Sequence, residues 1–280
     1  ICGVFTREDK PVGRKQVLTP PPVKQLAIQN NIPVFQPKTL KDGEAFKTIS
    51  ELAPEIIVVV AYGRILPKEI LDLPQRGCVN LHVSILPKYR GAAPIQWAVL
   101  NGDKKTGVTI MFMDEGLDTG DIITTKLVDI DENETSGELF EKVTKVGTKT
   151  LCDTLSDIEN GTFVRTKQDE TAVSFAPPLT KEMAKLKFGE TAEHLHNLVR
   201  GFNPWPMAYF EFQDNKVKVT KSQVVMQSGE VGTVLSLTPL VVACGENALS
   251  LCEVVPSGKG TMSGSAWALG RRFVIGEKIV

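Results

Sequence analysis

The sequence is short of the features that would tie it to a membrane or to an oxidising compartment. No apolar run approaches the roughly 20 residues that span a bilayer, and the longest, Ile56 to Ala61, suits a strand buried on both faces. The five cysteines, Cys2, Cys78, Cys152, Cys244 and Cys252, are odd in number and form no CxxC pair. They argue against a disulfide framework and read as reduced core thiols of a cytosolic protein. The opening ICGVF has neither the basic start nor the cleavage pattern of a secretory signal. Histidine is scarce, three in all. His194 and His196 sit two apart on a predicted helix, which turns them about 200° from one another, so they do not share a metal. Asp114, Glu115, Asp118 and Asp121 lack calcium-loop spacing. There is no internal repeat and no low-complexity tract.

What is present is the composition of a soluble globular chain. At 280 residues, with 42% hydrophobic and 23% charged residues, it has core enough for one large or two ordinary domains. The net charge of -1 is unevenly spread: 21 Lys and Arg stand against 24 Asp and Glu up to Pro178, and 11 against 9 beyond it. The second half therefore permits a polyanionic partner without requiring one.

Strand and helix patterns alternate through the first half, which argues for parallel βαβ units. ICGVF, EIIVVVA, GCVNLHV, TGVTIMFM and DIITTKLVDI read as strands, and Pro22 to Asn31 and Pro94 to Asn101 as helices. Thr135 with Glu138 three positions on is a capping-box start for a long helix that Gly161 ends. The pattern then loses periodicity up to Pro177-Pro178. After the predicted helix TAEHLHNLVRGF, five short strands separated by Asp-Asn, Gly and Pro turns fit a small OB-like barrel. The predicted organisation is a Rossmann-like α/β domain over 1–161, a linker over 162–178 and an OB-like domain over 179–280.

One stretch carries chemistry. In VNLHVSILPKYRG, strand alternation puts Asn80 and His82 on one face and Val79, Leu81 and Val83 on the other. Asp118 returns to the same region on the glycine-flanked loop GLDTG, so an amide, an imidazole and a carboxylate are predicted to meet at the carboxyl ends of the strands. Trp205, between Pro204 and Pro206, is predicted to anchor the barrel to the preceding helix.

NLHVSILPKYRGAAPIQWAVLNGD, GVTIMFMDEGLDTGDII, DKPVGRKQVLTPPPVK and RGFNPWPMAY together resemble the methionyl-tRNA formyltransferase family, nearly end to end. The resemblance implies formyl transfer from 10-formyltetrahydrofolate to the α-amine of methionine on charged initiator tRNA. It also implies that an initial strand and helix found in the family are missing from this chain. Asn80 and His82 would stabilise the oxyanion of a tetrahedral intermediate, and Asp118 would orient the imidazole and relay a proton. No metal or covalent nucleophile is required.

By the same resemblance the folate-site motif falls on Ser84, Ile85, Leu86 and Pro87, with Ile85 where the family usually has leucine. Arg90 and the turn from Ala61 to Gly63 shape the same cleft. The basic loop from Arg7 to Lys24 resembles the insertion that reaches the tRNA acceptor end. Arg14 stands at the motif position, and Lys15 replaces the glycine often found next. The implied protein is a monomer without membrane contact, in the cytoplasm or an organellar matrix. An amino-sugar-nucleotide formyltransferase, a formyltetrahydrofolate hydrolase and a noncatalytic RNA-binding protein are the alternatives; the last leaves the grouping of Asn80, His82 and Asp118 unexplained.

Overall fold

The computed structural model describes residues 1–13 and 15–279. The chain divides into two compact units, one of Ile1–His82, Thr109–Thr125 and Thr150–Thr171, the other of Val83–Val108, Lys126–Lys149 and Ala172–Val280.

In the first unit, runs of Val, Ile and Phe form short strands because β-branched and aromatic side chains suit a pleated, half-buried surface. Val4–Phe5 pairs in parallel with Val34–Phe35, and the Phe5 and Phe35 rings stack with centroids 4.9 Å apart. Ile57–Val60 pairs in parallel with Cys78–His82. The parallel pattern stops there. Strand Lys105–Phe112 runs antiparallel to Cys78–His82, with Val79 opposite Phe112 and His82 opposite Thr109. Strand Ile122–Asp129 completes this four-stranded sheet. The sheet is therefore mixed, since an apolar period identifies a strand without fixing its direction.

A second expectation is corrected in Ile57–Val60. Val58 and Val60 are 40% and 52% exposed, so the strand is not buried on both faces. Ile57 and Val59 pack with Ile49, Ile70 and Leu71, whereas Val58 and Val60 line an open apolar groove of about 1060 Å³ with Phe5, Leu52 and Leu155.

Helix Ser136–Asn160 begins at the predicted capping box. Glu138 Oε2 accepts from the Thr135 backbone N–H at 2.8 Å and from its hydroxyl at 2.7 Å, and the Glu138 N–H donates to Thr135 Oγ1 at 3.3 Å. Its early apolar residues, Leu139 and Val143, pack with Val99 and Val108. Its late ones, Leu151, Leu155 and Ile158, pack with Val79 and Ile110.

In the second unit a six-stranded antiparallel sheet has the path Tyr209–Phe212, Asn215–Val225, Ala248–Pro256, Leu240–Ala243, Val234–Leu237, with Met262–Ser263 added to Ala248–Pro256. Its core is aromatic: Trp267 lies edge-on to Phe210, Phe212 and Phe273 at 5.1–5.7 Å between centroids. Trp267, on helix Gly264–Arg271, is the buried tryptophan. Trp205 is 56% exposed and does not anchor the sheet as expected, because flanking prolines hold it on a surface turn. Asn203 makes the junction to the sheet instead, its side-chain amide donating to the Thr220 carbonyl at 2.9 Å.

His194 and His196, both on helix Ala192–Gly201, part company. His194 pairs at the surface with Glu190 at 2.9 Å. His196 is buried, with Nδ1 2.9 Å from the Ser222 hydroxyl and Nε2 3.3 Å from the Glu132 carbonyl. Burial lowers the His196 pKa from its ordinary 6.5; the Glu132 carbonyl opposes the shift and the Arg200 charge adds to it. The folded state thus binds fewer protons than the unfolded chain once the pH falls below about 6.5. The contribution of this ring to stability is complete above that pH and is lost as the pH falls toward the folded pKa. In urea unfolding at pH 7.5 and pH 5.0, the wild-type protein is expected to lose more stability on acidification than His196→Asn. The excess is expected to reach at most about 1.4 kcal/mol for each pH unit crossed between the two pKa values. Equal losses in both proteins would refute this role for the ring.

Candidate active site

Strand Cys78–His82 is held on both sides, by Ile57–Val60 and by Lys105–Phe112, so the side-chain alternation is fixed and Asn80 and His82 share a face. His82 is 5% exposed. Asn80 is half-buried, and its amide makes no hydrogen bond within the described residues.

Asp118 reaches this face by a fold-back. The chain leaves Phe112 opposite Val79 and returns at Asp121, whose carbonyl accepts from the Phe112 N–H at 2.9 Å. Between them Asp114 closes a local turn by accepting from the Gly116 N–H at 3.0 Å and from the Thr119 hydroxyl. Asp118 itself takes a left-handed backbone with φ of 54°, a conformation aspartate tolerates better than most residues. A Cβ on Gly120 would lie 1.8 Å from the Phe112 carbonyl oxygen, so only glycine fits the closing position. The result is an Asp118 carboxylate 3.6 Å from His82 Nδ1, with both side chains largely withdrawn from solvent. That distance is longer than a direct hydrogen bond and within ion-pair range; such contacts tighten when substrate binds. His82 and Asp118 lie 3.6 Å apart, and the antiparallel strand itself ends beside Val79. Only Cys78–His82 contributes its carboxyl end, and the loop supplies the rest.

The predicted folate-site residues follow directly in sequence, in the second unit. Ser84 and Leu86 are buried and Ile85 and Pro87 half-buried. The Ser84 hydroxyl donates to the Lys88 carbonyl at 2.6 Å and the Lys88 N–H to the Ile85 carbonyl at 3.0 Å, closing a tight turn. Tyr89 fixes the turn's far end, its hydroxyl donating to Asp103 at 2.8 Å and accepting from Asn101 at 3.0 Å. Burial pushes the Tyr89 phenol up to about 12, so it stays a donor. Arg90 is 3% exposed and its strand, Arg90–Gly91, pairs with Phe175–Ala176.

Of the two residues assigned to tRNA, Arg14 lies outside the described residues. Lys15 is exposed in the turn between strands Lys10–Val12 and Val17–Thr19, which pair as a hairpin. The Ala61–Gly63 turn is held by Arg7, which donates to the Tyr62 and Gly63 carbonyls at 3.1 and 3.2 Å.

Sequence reasoning passed over Gln168. Its side-chain amide donates to the carbonyls of Asp118 and Gly120, each at 2.8 Å. A lone glutamine in an aperiodic segment carries no signal that would single it out. Among the described residues no group of three His, Cys, Asp or Glu gathers as a metal site.

Known proteins resemble this chain over nearly its whole length. The formyl transferase family matches residues 1–155, and the formyl transferase C-terminal domain matches residues 178–272. A methionyl-tRNA formyltransferase from Clostridioides difficile is 48% identical over 283 residues, covering 100% of this chain and 88% of its own length. One from Clostridium novyi is 45% identical, covering 92% of this chain and 85% of its own. Among solved structures, an N-formyltransferase from Helicobacter canadensis in complex with folinic acid and dTDP-3-aminofucose shares the fold at a TM-score of 0.64 and 21% identity, over 88% of this chain and 87% of that one. This chain belongs to the formyl transferase family.

Proposed function

We infer that the protein transfers the formyl group of 10-formyltetrahydrofolate to the α-amine of methionyl-initiator tRNA. Identity of 48% to a methionyl-tRNA formyltransferase, over 100% of this chain and 88% of that protein, supports the substrate. For the chemistry, the observation that carries the reading is the His82–Asp118 pair beside the unengaged Asn80 amide.

The reaction forms one C–N bond, from the methionine amine to the formyl carbon, and breaks another, from that carbon to the folate nitrogen, while one proton moves from the first nitrogen to the second. The folate supplies the formyl group. Asn80 and His82 offer N–H donors to the negative charge that develops on the formyl oxygen, and comparable donors are worth about 3 to 4 kcal/mol. Asp118 orients the His82 ring and favours its charged form, and it takes up the proton that the attacking amine sheds. The turn from Ser84 to Pro87 fits the donor chemically: it is closed by its own hydrogen bonds and keeps the apolar Ile85 and Pro87 partly exposed for a flat heterocycle, over a buried Leu86.

The nucleic-acid half of the reading uses Lys15 on the hairpin, Arg14 next to it in sequence, and the second domain, over 179–280, with its slight positive excess. The antiparallel strands of that domain, with register shifts at Lys221 and Ser222 that bend the long strand, suit an OB-like barrel joined to the catalytic domain, 1–161, by the linker 162–178. Free thiols suit a reducing compartment, and the protein acts as a cytoplasmic monomer.

Asn80→Ala and His82→Ala are each expected to lower kcat on the order of 100-fold or more with folate and tRNA KM nearly unchanged. Weaker binding with unchanged turnover would reduce these residues to pocket shape. The double substitution Arg14→Ala and Lys15→Ala is expected to raise KM for charged tRNA alone. It should also flatten the log-log salt dependence of binding by about 0.7 to 0.9 for each phosphate that the hairpin no longer neutralises. An unchanged salt slope would remove the hairpin from the tRNA interface.

A further inference from the structure

The carboxylate of Asp118 is only as well placed as the loop that carries it, and that loop bonds the His82 strand at its start, where the Met113 N–H donates to the Cys78 carbonyl at 2.8 Å. Support nearer Asp118 comes from the segment after the long helix. Thr166 and Ile122 exchange backbone hydrogen bonds, 2.8 Å from the Ile122 N–H and 2.9 Å from the Thr166 N–H, as an antiparallel bridge. Two residues further on in one direction and two back in the other, that register sets Gln168 beside Gly120. Between Val164 and Ala172, Gln168 is the one residue that is not exposed.

Its Nε2 donates both of its hydrogens, to the Asp118 carbonyl and to the Gly120 carbonyl, each at 2.8 Å. The assignment of nitrogen is fixed by chemistry: the flipped amide would set Oε1 against two carbonyl oxygens, which cannot donate. Just beyond, Asp169 accepts from the Thr171 N–H at 2.9 Å and the Thr171 hydroxyl at 2.7 Å, which closes a local turn after the glutamine.

We propose that Gln168 is a positioning residue for formyl transfer, its side-chain amide clamping the carbonyls of Asp118 and Gly120 and so holding the left-handed Asp118 with its carboxylate at His82. The proposal rests on the catalytic reading of Asp118. Gln168 touches neither substrate and acts only through the loop. Without the two donors, the left-handed backbone at Asp118 loses its tie to the segment after the long helix and keeps the local Asp114–Thr119 contact, and displacement of a reacting group by about 1 Å can cost on the order of 100-fold in rate.

The test compares Gln168→Ala, Gln168→Glu and Gln168→Lys in the full chain, with charged initiator tRNA and 10-formyltetrahydrofolate, and repeats Gln168→Ala and Gln168→Glu in an Asp118→Asn background. Glutamate keeps the size and loses the donors; lysine keeps donors. Alanine and glutamate are expected to lower kcat by about tenfold or more with both KM values within about twofold, and lysine to recover most of the loss. In the Asp118→Asn background the same changes should cost less than about twofold, since the group they position is already gone. Wild-type kcat in Gln168→Glu, a loss that lysine does not recover, or an undiminished loss on top of Asp118→Asn would each overturn the proposal. If the alanine protein fails to fold by thermal melt, the glutamate and lysine pair decides by the same criteria. Wild-type kcat in Asp118→Asn alone would instead sink the catalytic reading of Asp118, a failure separate from that of the clamp.

Discussion

A reversal of the chain between Phe112 and Asp121 is the constraint on which the site depends. Strand pairing alone can place Asn80 and His82 on one face, because alternation is automatic once both neighbours of Cys78–His82 are in register. It cannot deliver the carboxylate. The antiparallel neighbour carries the chain away from His82, toward Val79, and the loop has to bring it back. Three local devices do so: the Asp114 turn, the left-handed Asp118, and a glycine where the two limbs touch. Each costs conformational freedom that the loop does not recover by burying apolar surface, which is why the outside support from the Gln168 segment matters.

The same balance of local and non-local forces accounts for what the sequence discloses. Elements with a strong period or a cap are legible: Cys78–His82, Ser136–Asn160 behind Thr135, Ala192–Gly201 behind Thr191. Helix Glu44–Leu52 is not, because it starts after Gly43 without a side-chain cap and buries only Ala45 and Ile49. Helix Gly264–Arg271 is hidden by small residues and an internal glycine, although Ser263 caps it. Strand direction leaves no periodic trace, so the antiparallel course of Lys105–Phe112 emerges only in three dimensions. Among site residues, Asn80 and His82 are visible as a polar pair on an apolar strand, and Asp118 as an acid between glycines. Gln168 is invisible because its partners are backbone carbonyls about 50 positions away in sequence, and a carbonyl looks alike at every residue.

The buried cluster around His196 and Arg200 follows a different logic from the groups at the site. His196 and Arg200 are buried on one helix, with the Arg200 guanidinium donating to Asn197 at 2.9 Å and to the Glu134 carbonyl at 3.4 Å, while the Glu134 carboxylate takes Lys142 at 2.8 Å. Every member has a partner, as burial demands. At the site, by contrast, the Asn80 amide is unengaged among the described residues and the His82–Asp118 contact is longer than a hydrogen bond. An amide, an imidazole and a carboxylate gathered on one strand face and its loop form a set that a substrate can engage.

Gly120 has a consequence for how the gene can change. Every substitution at the first or second base of a glycine codon introduces a Cβ or a stop, and a Cβ here would sit 1.8 Å from the Phe112 carbonyl oxygen. The codon can therefore drift only at its silent third base, while Leu117, three residues earlier and 54% exposed, meets no such barrier. Within a single turn of chain, one position is closed to mutation by backbone contact alone, whatever the catalytic demand, and a near neighbour is open to it.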